Sequence, residues 1–250
     1  MTTKENKIII EAKNINKVFH KKSQDIKVLS EVSLSVYSGD FLVLFGPSGC
    51  GKSTLLHILL GLEPPTSGWV NFLDKSIYDE MDDDMRTEFR KSHIGMVYQQ
   101  ANWIKSLTVK GNIIFALRLN GCLVKDTAEK ANAVLETIGM SQWADYIPSE
   151  LSSGQQQKIA LARAIVTNPD IIIADEPTGN LDFESGQELM TLLSNLNKEG
   201  KTIIMVTHDL EYLTFANRAV NMFDGKIIEE ISDPRKFINQ KKLITKRTQL

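Results

Sequence analysis

Short apolar runs, many of them β-branched, punctuate the chain: IIIEA from Ile8, KVLSEVSLSV from Lys27, FLVLF from Phe41, IGMVYQ from Ile94, IIIAD from Ile171, TIIMVTH from Thr202 and RAVNMFDGKII from Arg218. The central runs are almost continuously apolar and bounded by turn residues, the pattern of strands covered on both faces in a parallel sheet. The two N-terminal runs differ. KVLSEVSLSVYSGD alternates apolar and polar positions before a Ser-Gly turn, which predicts an antiparallel layer with one solvated face.

Between the strands the period changes. Ala128, Ala131, Val134, Leu135 and Ile138 fall at helical spacing from Asp126 onward, and Gly139 stands where a left-handed residue would end that helix. Asp82–Asp84 reads as a solvated helix start, where negative charge suits the helix dipole. From about residue 105 to 165 no strand pattern occurs, so this stretch is expected to be a helical insertion in an α/β chain.

Composition narrows the picture modestly. With 250 residues, 42% hydrophobic and 24% charged, the chain can bury one large core or a core with a subdomain. Its 29 basic residues against 31 acidic ones give no general reason to expect nucleic acid as a partner. Cys50 and Cys122 lie far apart, against a disulfide framework or a cysteine metal site. MTTKENKIII lacks a signal-peptide pattern, and no run approaches the ~20 apolar residues of a membrane span. Any connection to a membrane is therefore expected to go through a partner. The last sixteen residues, RKFINQKKLITKRTQL, carry six basic residues and no acid. They read either as a solvated tail or as a segment touching anionic lipid or a partner.

The sharpest chemical signal is Gly46-Pro47-Ser48-Gly49-Cys50-Gly51-Lys52-Ser53-Thr54, which fits G-x-x-x-x-G-K-[ST] between the strand FLVLF and the helical run TLLHILL. Glycines let the backbone wrap phosphates so that successive N–H groups and a helix N-terminus face the anion. Lys52 would reach the β- and γ-phosphates, and the Ser53 hydroxyl would hold Mg²⁺. A second strand, Ile171 to Asp175, is apolar until it ends in Asp175-Glu176 before Pro177. Two carboxylates at a buried strand end call for a cation or a water nearby. Asp175 suits the Mg²⁺ shell, and Glu176 the water that attacks the γ-phosphate.

Taken with these motifs, Gln99 after a strand, LSSGQQQ at 151–157, IIIADEPTGNLD at 171–182 and TIIMVTHD at 202–209 occur in an order and spacing that resembles the nucleotide-binding subunits of ABC transporters. The resemblance spans about residues 8 to 230 and is strongest to ATPases of the lipoprotein-release and macrolide-export kind, including the cell-division branch. It implies a P-loop NTPase core with a mostly parallel sheet, an N-terminal antiparallel β layer and a helical subdomain. It divides the chain into one ATPase domain at 1–230, with its core at about 1–98 and 166–230 and its helical subdomain at about 99–165, followed by the basic tail at 231–250.

On matching positions, the resemblance assigns Gln99 to Mg²⁺ or the attacking water and His208 to the γ-phosphate. Phe19 takes the place of the adenine-stacking aromatic, although a single aromatic in a strand also serves as core. Ser152, Ser153, Gly154 and Gln155 form the signature loop that completes the ATP site of a second subunit, and Asp182 ends a loop that crosses the dimer interface. The implied cofactors are ATP and Mg²⁺. The implied partners are a second copy of the chain and a separately encoded integral membrane subunit, at the cytoplasmic face of the plasma or inner membrane.

Two positions depart from the family pattern. Ser153 replaces the first of two glycines, adding a side chain where backbone should approach phosphate. Gly111 replaces the glutamate of a Glu-Asn pair in a segment, ANWIKSLTVKGN, that also carries Trp103 and lines the groove for the membrane subunit in the family. Trp103 reads equally as a packing residue of the helical insertion. Rival readings are an ATP-dependent regulator of cell division, a soluble ABC-type ATPase acting on DNA or ribosomes, and a P-loop kinase. The kinase has no use for LSSGQQQ, and the soluble ATPases usually carry long coiled-coil insertions or a second cassette.

Overall fold

The computed structural model describes residues 7–20 and 24–239. In chain order its elements are β1 (Ile8–His20), β2 (Asp25–Tyr37), β3 (Phe41–Phe45), α1 (Lys52–Leu59), β4 (Ser67–Phe72), β5 (Lys75–Ser76), α2 (Asp83–His93) and β6 (Ile94–Tyr98). They continue with α3 (Val109–Leu119), α4 (Val124–Thr137), α5 (Ser153–Ile165), β7 (Ile171–Asp175), α6 (Phe183–Lys198), β8 (Thr202–Thr207), β9 (Arg218–Phe223) and β10 (Lys226–Ile231). By compactness the chain forms two units, one of residues up to Thr87 together with those from Ile204 onward, the other Glu88–Ile203. The part of the basic tail from residue 240 onward lies outside the described residues.

The first unit holds the expected antiparallel layer, in the strand order β2-β1-β4-β5. β1 pairs with β2 from Ile8↔Tyr37 to His20↔Asp25, and with β4 from Ile10↔Phe72 to Asn16↔Ser67. Ile10, Ala12 and Ile15 of β1 face the core with Val32, Leu34 and Val36 of β2 and Val70 and Phe72 of β4. The β4–β5 hairpin has no counterpart among the apolar runs. Only Val70 and Phe72 of β4 are buried, so its burden of core residues is too light to form a run. A turn with Leu73 and Asp74 at positive φ closes it.

Also in the first unit, β3 lies between β9 and β8 and runs parallel to β9 from Leu42↔Arg218 to Phe45↔Asn221, while β10 pairs antiparallel with β9. All five residues of β3 are buried, as its unbroken apolar run requires. α1 follows it and buries Leu55, Leu56, Ile58 and Leu59.

In the second unit β6 and β7 are parallel, in register from Ile94↔Ile171 to Tyr98↔Asp175. Helices α3, α4 and α5 share a core of Val109, Ile113, Ala131, Val134, Leu135, Ile159 and Ala162, against which Trp103 packs. α5 approaches β6 so closely that a Cβ on Gly95 would stand 2.3 Å from the Ala164 carbonyl oxygen. α4 ends as its sequence predicts: Gly139 takes φ 71°, and the N–H groups of Gly139 and Met140 donate to Glu136 and Leu135 in a Schellman motif. Its start lies at Val124, slightly ahead of Asp126, because the Asp126 N–H already donates to the Leu123 carbonyl. Asp83 and Asp84 open α2 as expected, and Asp82 accepts from the Met85 N–H at 2.8 Å. Among the described residues no helix is long and apolar enough to cross a membrane.

Asn112 joins the loop before α3 to the helix itself. Only 1% exposed, it accepts from the Ile104 N–H and donates to the carbonyls of Ile104, Leu107 and Thr108. Replacing it strands several backbone groups in a dry interior. Asn112→Ala is expected to destabilise the protein by about 2–3 kcal/mol in urea unfolding, and an unchanged midpoint would show that water replaces the amide.

Candidate nucleotide site

β3 hands the chain directly to the Gly46–Thr54 loop, which has little room for side chains. Gly46 has φ 148°, and a Cβ there would sit 2.1 Å from the Met222 carbonyl oxygen. Gly51, at φ 100°, would place a Cβ 2.8 Å from Leu29 and 3.0 Å from the Val28 carbonyl oxygen. Gly49 meets nothing within 4 Å but takes φ 78°, so its backbone conformation alone favours glycine. The Cys50 carbonyl accepts from the Gly225 N–H at 3.1 Å, which anchors the loop to the β9–β10 turn.

Pro47, Ser48 and Gly49 form the exposed rim, whereas Cys50, Gly51 and Lys52 are buried. Gly51 caps α1, and no side chain satisfies the helix start. Its first N–H groups therefore remain donors for an anion. Lys52 is 7% exposed, and its Nζ donates to the carbonyls of Gly46 and Pro47 at 2.9 and 3.0 Å. The ammonium is held at the mouth of the loop by two neutral acceptors. Ser53 is exposed at the second position of α1, and Thr54 is half-buried beside it.

Phe19 and His208 belong to this same unit. Phe19, next to the last residue of β1, is 37% exposed. His208 is exposed just beyond β8, between two pinned neighbours: the Thr207 hydroxyl accepts from the Asp209 N–H, and the Asp209 carboxylate accepts from the Glu211 N–H. The other histidines have ordinary settings. His20 pairs with Asp25 at the surface, His93 with Asp170, and His57 is exposed on α1.

The remaining sequence-predicted residues lie in the second unit. Asp175 ends β7 opposite Tyr98, and Gln99 is the next residue after Tyr98. Glu176 follows at φ 48°, a left-handed conformation that costs a glutamate about 1–2 kcal/mol. The turn that holds it there closes through Gly179 N–H to Glu176 O at 3.1 Å and Leu181 N–H to Thr178 O at 3.1 Å. Gln99 lies across this turn, since a Cβ on Gly179 would stand 2.6 Å from Gln99 Nε2.

Asp182 caps α6, accepting from the N–H of Ser185 at 2.8 Å and from its hydroxyl at 3.0 Å. Those bonds hold its carboxyl below the usual range. The cap's contribution to stability is thus complete above about pH 4 and is lost as pH falls through the lowered value.

In LSSGQQQ each amide has its own duty. Ser152 caps α5, its hydroxyl accepting from the Gln155 N–H, while Gln155 Oε1 accepts from the Ser152 N–H. Gln156 accepts from the Trp103 indole at 3.0 Å and donates to the Leu151 carbonyl. Gln157, 4% exposed, donates to the Tyr98 carbonyl at 2.7 Å, so it ties α5 to the residue before Gln99. Arg163, one and a half turns further on, stacks over the Trp103 ring at 4.6 Å and donates to the Asn102 carbonyl; burial lowers its pKa, against a smaller opposing effect of Tyr98.

Ser153 is the first residue of α5 and is exposed, so the capping role belongs to Ser152. Gly154 is buried, and a Cβ there would meet Ser185 Oγ at 2.6 Å. The starts of α5 and α6 therefore abut. A cavity of about 220 Å³ lies among Gln99, Ser153, Gln156, Gln157, Asn180 and Leu181. Gln157 escaped the sequence reading despite a signal, since it is the one polar residue on a face otherwise made of Ala160, Leu161 and Ala164. Ser185 had one as well, three residues beyond a capping aspartate.

The Gly46–Thr54 loop, the helix start without a side-chain cap and the buried lysine are the features of a P-loop nucleoside triphosphatase. The family model of the ABC transporter matches residues 29–179. The ABC transporter ATP-binding protein MJ1508 of Methanocaldococcus jannaschii is 41% identical over 224 residues, covering 90% of this chain and all of that protein. The macrolide export ATP-binding/permease protein MacB of Chlorobaculum tepidum is 37% identical over 222 residues, covering 89% of this chain and 34% of that protein. Among solved structures, the cassette MJ0796 of the same archaeon in a post-hydrolysis dimer bound to ADP and Pi has a TM-score of 0.82 at 36% identity, over 90% of this chain and 98% of that one. The chain belongs to the ABC transporter family, as an ATP-binding ATPase cassette.

The contact between Gly154 and Ser185 is directly testable. Gly154→Ala is expected to cost about 1–3 kcal/mol through overpacking, and adding Ser185→Gly to recover part of that loss; additive effects in denaturant unfolding would mean that the helix starts can separate at no cost.

Proposed function

We propose that two copies of this chain close head to tail on ATP, each signature loop completing the other's site, and that hydrolysis reopens them to drive a separately encoded membrane subunit of the lipoprotein-release or macrolide-export type. The observation that carries this reading is the uncapped start of α1 beside the buried Lys52 ammonium, an anion site with backbone donors and a fixed cation. The dimeric cassette MJ0796 and the exporter MacB, both similar to this chain, support the partners.

In this reading Gly46–Thr54 wraps the triphosphate and Phe19 stacks on adenine. Lys52 and His208 balance charge on the transferred phosphoryl group, and Glu176 orients the attacking water. The strained backbone at Glu176 fits a residue whose direction matters more than its comfort. Ser53, Gln99 and Asp175 offer a hydroxyl, an amide oxygen and a carboxylate, all hard oxygen donors suited to Mg²⁺. When bound there, the ion would supply positive charge against the phosphates. Ser152, Ser153, Gly154 and Gln155 of the second copy close the γ-phosphate side, with Asp182 holding the loop that crosses the interface. The ATPase core comprises about 1–98 and 166–230, the helical subdomain about 99–165 meets the membrane subunit, and the assembly works at the cytoplasmic face of the membrane.

Glu176→Gln is expected to keep ATP binding, to accumulate an ATP-bound dimer in size-exclusion chromatography and to lose at least ~10²-fold in turnover. Hydrolysis at the parent's rate would overturn the role of Glu176. Ser153→Gly is expected to raise turnover by letting backbone approach phosphate more closely; an unchanged rate, with and without the membrane partner, would show that the serine side chain is neutral there.

A further inference from the structure

Beneath Phe19 lies a second cation that the nucleotide chemistry above leaves unused. Lys17, two residues earlier on β1, is 7% exposed, and its Nζ stands 4.8 Å from the centroid of the Phe19 ring. The ammonium makes an ion pair with Glu63 and donates to the Pro64 carbonyl at 2.7 Å. An ammonium has three donors, and with two so engaged the face of the ring receives the third. One side of Phe19 is thereby occupied, yet the residue remains 37% exposed, which leaves the opposite face open.

The partners of Lys17 give the contact its importance. Glu63 and Pro64 lie in the segment that leaves α1, the helix whose other end is the P-loop. That segment is held firmly: the Tyr78 hydroxyl lies 2.7 Å from the carbonyl oxygens of both Ile58 and Glu63, with one proton to share between them, the Val18 N–H donates to the Thr66 hydroxyl at 2.9 Å, and the Thr66 N–H donates to the Asn16 carbonyl at 2.8 Å. Phe19 is thus joined through Lys17 to the far end of the phosphate-binding helix.

We propose that Lys17 is a positioning residue for the nucleotide base: it fixes the plane of Phe19 from below, draws π density from the outer face, and sets the platform's place relative to α1. A cation on one face of the ring draws π density toward itself, and the open face is left for a purine to stack on. This role rests on the reading of Phe19 as the adenine platform, and the experiment separates the two.

Binding of ATP and of inorganic tripolyphosphate is measured on the full chain with Lys17→Met, Lys17→Arg and Phe19→Ala. Lys17→Met is expected to weaken ATP about fivefold while tripolyphosphate changes less than about twofold, with the loss appearing in KM more than in kcat and largely restored in Lys17→Arg. Equal losses for both ligands would reduce Lys17 to a packing residue and overturn the proposal. So would unchanged ATP affinity in Lys17→Met when Phe19→Ala still weakens ATP selectively. Unchanged ATP affinity in Phe19→Ala would overturn the platform itself, and the role of Lys17 with it. Should Lys17→Met fail to fold, Glu63→Gln at the more exposed partner serves instead: a smaller ATP-selective loss supports the proposal, and none overturns it.

Discussion

Much of the first unit follows from a backbone that passes too close to its neighbours to carry side chains. At Gly46 the nearest carbonyl leaves no space for a Cβ, and at Gly51 the β2 strand leaves almost none. The chain can run there only as glycine, and running there brings the start of α1 and the Lys52 ammonium to one point. The buried strand β3 supplies the rigidity, since every one of its residues is packed. Backbone donors fixed by such packing are aimed before an anion arrives, whereas the Lys52 ammonium, held by the Gly46 and Pro47 carbonyls, has to exchange those partners to reach one.

The second unit solves a related problem with amides. The start of α5 is exposed at Ser152 and Ser153 and is still held in place. Gln155 closes the capping box, Gln156 grips Trp103, and Gln157 grips the end of β6. The three neighbouring glutamines therefore point in three directions, as successive helix positions must. Through Gln157 and the pressed pair Gly154 and Ser185, the starts of α5 and α6 and the residue preceding Gln99 are linked by short contacts.

Gly111 shows how a local departure is absorbed. Thr108 caps α3 and accepts from the Gly111 N–H at 3.0 Å, the arrangement of a capping box, but glycine has no side chain to return the bond. Asn112 makes four hydrogen bonds to the adjoining loop instead. The missing carboxylate thus weakens one turn of a helix whose entry is already secured by its neighbour.

Patterns whose meaning depends only on nearby residues were legible in the sequence. The buried run FLVLF, the P-loop glycines, the stop at Gly139 and the paired acids after IIIA each state a local requirement, of burial, of positive φ or of charge, that few conformations meet. Strand β4 was silent because its half-buried residues carry no run, and Lys17 was silent because nothing in its sequence neighbourhood announces Glu63 or Pro64 as partners. The sequence by itself determined most of the buried strands and the helical insertion, and it marked Gly46–Thr54 as a loop built for close backbone approach, since those follow from periodicity and backbone freedom. Only the tertiary structure decided which side chains hold the loops in place, because an ion pair, a ring face or a crowded Cβ exists only once distant segments have been packed together.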